Sequence, residues 1–317
     1  MSRDRAHGAA THGGKTIVDI TKFMQPLTLD EGECAAKSAD GTCMTKAVLP
    51  ILAAVGVDTS AGLQAAVAAA EEKLRCDSES CVLANPQTVE VATSLGLKDV
   101  LLKEVKTRFK PIGPRNSTAL LSNLHIDAAL DQWKAEFPEF RPCPFAMADF
   151  ETADFEFRRV SLARLYAEGA RAFACVLNTD VSRGPGKHWV AVFVDMRPDR
   201  AQLDTPWTIE YFNSAGSPPA VAVVRWMERQ RQDLLRVRSG TPAESQDGAA
   251  VPPRAVETWA VSSVLHQRSQ TECGLYSLYY IRRRLEGAPL ADFMNPAQPI
   301  PDVAMVMFRR HVFRARP

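Results

Sequence analysis

The sequence that most strongly decides the fold is HWVAVFVDM, residues 188–196. The run is rich in Val, Phe and Trp, which is typical of a β-strand. Related runs occur at 171–179 (RAFACVLNT), 207–214 (WTIEYFNS) and 257–266 (ETWAVSSVLH). Segments containing Gly, Pro and Asp separate the first three runs, as expected between strands. We therefore predict a small mixed central sheet.

Helical patterns surround this predicted sheet. Residues 218–237 begin with two prolines and continue as a helix-like run, and proline is tolerated at the start of a helix. An amphipathic helix is predicted within 118–137, and further helices at 273–285 and 301–314. The predicted fold class is α+β, with a small mixed central sheet flanked by helices.

The part of the chain before the sheet has a different character. Two segments between residues 46 and 76 are rich in Ala and Leu and contain few helix breakers. They predict a mostly helical N-terminal domain over 16–110, preceded by a flexible arm at 1–15. The run KPIGPRNST at 110–118 holds two prolines and one glycine and is the candidate linker. The sheet-containing domain then occupies 111–317.

Composition places the chain among ordinary globular proteins. Its 317 residues suit one or two domains, and 46% are hydrophobic and 24% charged. A net charge of +1 gives no sign of a dedicated nucleic-acid or anionic-membrane protein. No stretch reaches the roughly 18 consecutive apolar residues of a membrane span. The basic N-terminus has no apolar segment after it, so we expect neither membrane insertion nor secretion.

The cysteines favour a reducing compartment. There are seven, an odd number, without the density of a secreted disulfide scaffold, so free thiols are expected. Of Cys34, Cys43, Cys76 and Cys81, only the last pair has the close spacing that structural zinc sites use. We expect reduced thiols here, with zinc binding as the alternative, and we expect no cofactor.

Polar residues at the ends of the predicted strands form a candidate site. His188 begins one strand and Asn213 ends the next. If these strands are adjacent and antiparallel, the two side chains meet. Cys273 begins a predicted helix, six residues after Gln267, and a helix packed on the sheet would bring it to the same edge.

These residue types suit thiol hydrolysis. A free thiol has a pKa of about 8.5, and a neighbouring imidazolium or a helix N-terminus lowers it. Cys273 would have both. An Asn carbonyl can orient the imidazole, as in a Cys-His-Asn arrangement. The Cys273 N–H and the Gln267 amide can stabilise an oxyanion.

The ordered set HW, YFNSAG and Q-x5-C-G resembles the ubiquitin-like-protein protease and adenovirus proteinase clan of cysteine proteases, over residues 117–290. The resemblance implies a papain-like or adenain-like fold, with Trp189 packed against the histidine. Many members carry Asp at the position of Asn213, so here the imidazolium would be stabilised less. The implied catalytic residues are Cys273 as nucleophile, His188 as base, Asn213 as orienting residue and Gln267 as oxyanion donor.

Several residues near this set have alternative interpretations. Gln270 competes with Gln267 for the oxyanion role or lines the cleft. Asn178 braces the loop before His188, or is a turn-forming residue. His266 is a rival base, or a residue that lies close to the site without reacting.

Charged residues lie just before the predicted helix at 273–285 and near its end. Glu272 would raise the pKa of the neighbouring thiol if it were close, so we expect its side chain to face away. The Arg triplet at 282–284 is expected to be a solvated helix face, with association with nucleic acid as the alternative.

The stretches LLSNLHIDAALDQW, FPEF, ADF and CDSESCVL resemble the polyprotein-processing branch of large double-stranded DNA viruses. That resemblance implies an endopeptidase that cleaves after small residues, Gly-Gly or Ala-Gly, and matures capsid or core precursor proteins. Its location would be the host cytoplasm and the virion, or otherwise the cytoplasm or nucleus. The alternatives are deconjugation of a ubiquitin-like modifier, acyl transfer by the same residues, and an inactive relative that only binds.

Overall fold

The computed structural model describes residues 11–12, 15–16, 21–24, 32–35, 37–197, 205–239 and 255–315. Most of the expected arm at 1–15 and the segments 198–204 and 240–254 lie outside these residues. Within them the N-terminal part has an antiparallel pair of short strands and six helices. These are β1 (Thr11–His12), β2 (Lys15–Thr16), α1 (Thr21–Met24), α2 (Leu49–Ala54), α3 (Leu63–Leu74), α4 (Glu79–Ala84), α5 (Pro86–Ser94) and α6 (Lys98–Arg108).

Local sequence explains these helices. Asn85 caps α5, its side chain accepting a hydrogen bond from the Gln87 N–H, and Pro86 occupies the first helical position. The Ser78 side chain caps α4 in the same way. The helices bury a cluster of small and branched apolar side chains, which is the core of this part.

Disulfides in this part correct one expectation. Cys34 is bonded to Cys43 and Cys76 to Cys81, so the prediction of reduced thiols is wrong for these four. The fold brings each pair together, with Cα atoms 5.0 and 5.5 Å apart. Sulfur atoms joined in a disulfide cannot act as thiolate zinc ligands. The free cysteines among the described residues are Cys143, Cys175 and Cys273, and all are buried.

The central sheet is mixed, as predicted. Its strands are β3 (Phe140–Pro142), β4 (Ala146–Met147), β5 (Ala172–Asn178), β6 (Trp189–Asp195), β7 (Trp207–Phe212) and β8 (Val256–Val261). The strand order is β3-β5-β6-β7-β8, and β4 also pairs with β5. β5, β6 and β7 are antiparallel neighbours, whereas β3 and β4 run parallel to β5, and β8 runs parallel to β7.

Helices cover both faces of this sheet, which explains why β5 and β6 are buried along their whole length. One face, with Phe193 and Phe212, packs on α11 (Cys273–Leu285), and the other packs on Trp226 of α10 (Val221–Ser239). Each core has its own set of alternating strand residues. The helices are α7 (Asn123–Trp133), α8 (Glu156–Arg159), α9 (Leu162–Ala167), α10 (Val221–Ser239), α11 (Cys273–Leu285) and α12 (Asp302–Val312), with short 3-10 turns at Lys46–Val48 and Leu290–Phe293.

The predicted linker at 110–118 is tied to the C-terminal end of the chain. The Gly113 N–H donates to the Arg314 carbonyl at 3.2 Å, and the Arg314 N–H donates to the Pro111 carbonyl at 3.0 Å. A Cβ on Gly113 would lie 2.3 Å from a ring carbon of Phe313, so a side chain there would clash. The segment is therefore packed against the second half of the chain, and the domain boundaries proposed from the sequence stay a prediction.

The Arg triplet at 282–284 is not a solvated face, so that expectation is wrong. The Arg282 side chain is 10% exposed and pairs with Glu136 and Glu286, and Arg283 also pairs with Glu286. Arg284 is 9% exposed and pairs with Glu210. α11 packs between the sheet and other helices, so its basic residues are buried with carboxylates. A nucleic acid could bind this triplet only by displacing them.

None of the helices in the described ranges is both long and apolar enough to cross a membrane.

Candidate active site

The antiparallel pairing of β6 and β7 brings His188 to Asn213. In the register Ala191 faces Phe212, so the start of β6 lies beside the end of β7. His188 Nε2 lies 2.9 Å from Asn213 Oδ1. The other ring nitrogen of His188, Nδ1, has no hydrogen-bond partner among the described residues. The predicted contact between these two residues is present.

The surroundings of Asn213 fix its amide orientation. Its Nδ2 donates to the Tyr211 hydroxyl at 3.1 Å and to the Ser217 carbonyl at 3.0 Å. Its Oδ1 accepts from the Ala215 N–H at 2.9 Å as well as facing the imidazole. An oxygen that accepts from Nε2–H holds that proton on Nε2 and leaves the Nδ1 lone pair available.

Cys273 is the first residue of α11 and is 2% exposed. Burial raises the pKa of its thiol, while the backbone N–H groups of Trp189, Gly274 and Cys273 itself lower it, and the Glu272 carboxylate raises it further. The lowering of the thiol pKa that the helix N-terminus was expected to cause is therefore outweighed by the removal of the thiol from solvent. Because Trp189 directly follows His188, the N–H contact also places the thiol at the start of β6.

Crowding around the thiol explains the glycine that follows it. A Cβ on Gly274 would lie 3.1 Å from Leu121 Cβ and 3.2 Å from Trp189 Cδ1. The Trp189 indole donates to the Leu121 carbonyl at 3.0 Å, and its ring meets Phe145 edge-on at a centroid distance of 6.1 Å. Leu121 and Trp189 thus form a wall against the N-terminal turn of α11.

The two glutamines have different surroundings. The Gln267 backbone N–H donates to the Ser214 carbonyl at 3.0 Å, and its Oε1 accepts from the Ser214 hydroxyl at 2.9 Å. Its Nε2 donates to the Ser269 carbonyl at 2.9 Å. Because Ser214 directly follows Asn213 in the chain, these bonds bring Gln267 to the site. Gln270 is exposed and makes no hydrogen bond within the described part of the chain.

Asn178 supports the loop that leads to His188. It is 4% exposed, and its Oδ1 accepts from the N–H groups of Lys187 and Asp180, both at 3.0 Å. Asp180 was missed in the sequence. It is buried, accepts from the Gly186 N–H at 3.2 Å, and pairs with the Lys187 ammonium at 3.1 Å. These bonds favour the bracing role over that of a simple turn former.

The rival base His266 is committed elsewhere. β8 ends before it, and the residue is 2% exposed. Its Nδ1 accepts from the Ile300 N–H at 3.0 Å, and its Nε2 lies 3.1 Å from the Phe293 carbonyl, to which it donates. Burial lowers the pKa of this imidazole, so it is neutral. Both ring nitrogens are hydrogen-bonded to backbone groups, so neither can accept a proton from the thiol.

Glu272 is buried and is directed at another helix. Its carboxylate accepts a hydrogen bond from the Thr271 hydroxyl and lies 3.4 Å from Arg309 Nη2 on α12. Arg309 was not identified from the sequence, because nothing in the local pattern links it to a residue so distant in the chain.

Comparisons with known proteins agree on one family. The family model described as the Ulp1 protease family, C-terminal catalytic domain, matches residues 175–315. A protein named a cysteine protease, from African swine fever virus, is 46% identical over 257 residues, which are 77% of this chain and 85% of that protein. A protein named a SUMO-1 cysteine protease, from another isolate of the virus, is 45% identical over the same shares of the two chains.

A solved structure shares the fold as well. The crystal structure of the African swine fever virus protease matches with a TM-score of 0.70 and 40% sequence identity. The match covers 91% of this chain and 98% of that one. The likeness therefore includes the N-terminal helical part as well as the sheet.

Proposed function

Because this chain belongs to the Ulp1 protease family and is a cysteine protease, we propose that Cys273 is its nucleophile and His188 its general base. Asn213 orients the imidazole. The observation that carries this proposal is the 2.9 Å contact between His188 Nε2 and Asn213 Oδ1, beside a thiol buried at the start of α11. This contact favours the tautomer with the proton on Nε2, so the Nδ1 lone pair of His188 is available to accept the thiol proton.

The reaction then proceeds in two steps. His188 Nδ1 takes the thiol proton as the sulfur attacks the carbonyl carbon of the scissile bond. The backbone N–H of Cys273 and the Gln267 amide donate to the oxygen that becomes negative. The imidazolium gives its proton to the leaving amine, and a thioester remains. Water, deprotonated by the same imidazole, releases the acid and restores the thiol.

The substrate is a protein with small residues before the scissile bond, of the Gly-Gly or Ala-Gly type. The resemblance of LLSNLHIDAALDQW and FPEF to the polyprotein-processing branch of large double-stranded DNA viruses supports this specificity. The natural substrates are precursors of viral capsid or core proteins, and the protease acts in the host cytoplasm and the virion. Its similarity to a cysteine protease of African swine fever virus supports a viral role.

Deconjugation of a ubiquitin-like modifier is the second candidate. It rests on the relative whose name is SUMO-1 cysteine protease. Isopeptide and peptide bonds after Gly-Gly present the same acyl group to the thiol, so the same residues serve both reactions.

The test uses a fluorogenic peptide ending in Gly-Gly, with and without a thiol alkylator. Cleavage is expected from the native protein and is abolished by the alkylator, by Cys273→Ser and by His188→Ala. Cys143→Ser is the matched control, because Cys143 is also a buried free cysteine, and it retains cleavage. Cleavage that persists in Cys273→Ser contradicts the proposal. Parallel assays on a precursor protein and a modifier conjugate separate the two substrates.

A further inference from the structure

A buried ion pair lies directly behind the start of α11. Glu272 Oε1 and Arg309 Nη2 are 3.4 Å apart, and the two side chains are 4% and 2% exposed. Glu272 immediately precedes Cys273, so its carboxylate is a nearby negative charge for the thiol, and it raises the pKa of that thiol. Arg309 belongs to α12, the last helix of the described residues, and is buried there.

The same guanidinium also holds the wall that packs on the thiol. Arg309 Nη1 donates to the carbonyl of Ala119 at 2.9 Å and to that of Pro114 at 3.2 Å. This segment leads directly to Leu121, which packs against Gly274. One cation therefore connects α12, the segment 114–121 and the residue before the nucleophile.

We propose that Arg309 is a positioning residue for the Cys273 thiol: its guanidinium neutralises the Glu272 carboxylate beside the thiol and fixes the segment 114–121 against α11. This inference rests on the proposed function, in which Cys273 is the nucleophile. Arg309 contacts neither the thiol nor the substrate, so it acts through Glu272 and through the wall.

The charge argument follows from burial. Without Arg309, the Glu272 carboxylate would be a buried, uncompensated negative charge next to the group that must become a thiolate. A negative charge close to a thiol disfavours the thiolate and so raises the pKa of the thiol. The other titratable groups of the described residues at this corner do not replace the missing cation. They are Tyr276 of α11, which lies near Glu272, Asp302 of α12, which accepts a hydrogen bond from the Tyr276 hydroxyl, and His125 of α7, which lies near Arg309.

His125 in particular does not compensate. Burial lowers its pKa more than Arg309 does, so its imidazole stays neutral when Arg309 is replaced. Its Nδ1 accepts from the Ser122 N–H at 3.2 Å, which leaves no lone pair on that nitrogen for a proton.

The test is the pH dependence of Cys273 alkylation by iodoacetamide, followed by mass spectrometry of the Cys273 peptide, together with the melting temperature. Arg309→Met moves the midpoint of the alkylation profile upward by about one pH unit, since one like charge shifts a nearby pKa by roughly that amount. The double variant Glu272→Gln with Arg309→Met returns the midpoint to near that of the native protein. Arg310→Met is the matched control, an exposed neighbour on the same helix, and its profile is unchanged.

If Arg309→Met does not fold, the comparison of Glu272→Gln with the double variant keeps the test decisive. Glu272→Gln retains the positive charge of Arg309, so its midpoint lies below that of the double variant. A purely structural role for Arg309 predicts lower melting temperatures but equal midpoints in proteins that differ only at residue 309, and that result overturns the inference. If Cys273 in the native protein is not alkylated at any pH, the proposed nucleophile itself is wrong, which is a separate and recognisable outcome.

Discussion

Replacing Arg284 with methionine should destabilise this protein far more than removing an exposed arginine. Arg284 Nε and Nη2 donate to the two oxygens of Glu210 at 2.9 and 2.7 Å, and the Tyr280 hydroxyl donates to the same carboxylate at 2.6 Å. Glu210 is 0% exposed, and it lies on β7, the strand that leads to Asn213. The bidentate pair therefore joins α11 to β7.

The magnitude follows from the buried carboxylate that the substitution leaves behind. Removing one partner of a buried ion pair costs about 3–5 kcal/mol, because the remaining charge is buried without compensation. The double variant Glu210→Gln with Arg284→Met removes both charges and should recover most of that loss. Arg236 pairs with Asp233, and their side chains are 78% and 33% exposed. Such a surface pair contributes about 0.2–1 kcal/mol, so Arg236→Met is the control.

Urea unfolding, followed by tryptophan fluorescence, measures the free energy of unfolding of all four proteins. The difference between Arg284→Met and Arg236→Met should be at least about 2 kcal/mol, from the lower bound for the buried pair and the upper bound for the exposed pair. If Arg284→Met unfolds like the surface control, or if the double variant is no more stable than the single one, the ion pair does not hold α11 on the sheet.

Two further outcomes are expected. Gly274→Ala should lower kcat/KM by about tenfold or more, because its Cβ would lie 3.1 Å from Leu121 and 3.2 Å from Trp189, and overpacking of about 1–3 kcal/mol would displace the thiol. Steady-state kinetics, at a temperature well below the melting temperature of the variant, would check it. Burial lowers the pKa of His266 in the folded state, so its contribution to stability is full above the unfolded pKa of about 6.5 and is lost as the pH falls from there through the lower folded pKa. Melting temperatures between pH 8 and 5 should therefore fall less in His266→Gln than in the native protein, and equal slopes would contradict this explanation.

The geometry of the proposed active site was predictable because it depends on short-range regularities. His188 and Asn213 lie at the ends of consecutive strands, and the runs of apolar residues between Gly, Pro and Asp segments marked those strands. The pleated antiparallel pairing then fixes which ends meet. Cys273 likewise begins its helix where the sequence indicated, and the four main strands of the sheet are present. Other parts of the arrangement, by contrast, depend on residues far apart in the chain.

Long-range pairings were not predictable from local pattern. The arginines at 282–284 look like any solvated basic triplet, because nothing nearby in the sequence shows that Glu136 and Glu210 meet them. Cys34 pairs with the distant Phe109, and the Cys43 N–H donates to the distant Glu79, so the disulfide between the two cysteines depends on contacts that their own spacing does not show. In each case the missing information is a contact between distant residues, which burial makes necessary and sequence periodicity does not record.

The neutral amide of Asn213 fits the electrostatics of this site better than a carboxylate would. Its Nδ2 donates to the Ser217 carbonyl at 3.0 Å, and a carboxylate oxygen in that place would face an acceptor without a proton between them. The site already contains the Glu272 carboxylate, which raises the pKa of the thiol. A second carboxylate would stabilise the imidazolium but add a further negative charge beside the thiolate that must form. An amide orients the imidazole without that charge, so the Asn variant of the triad is consistent with a nucleophile that is buried next to an acidic residue.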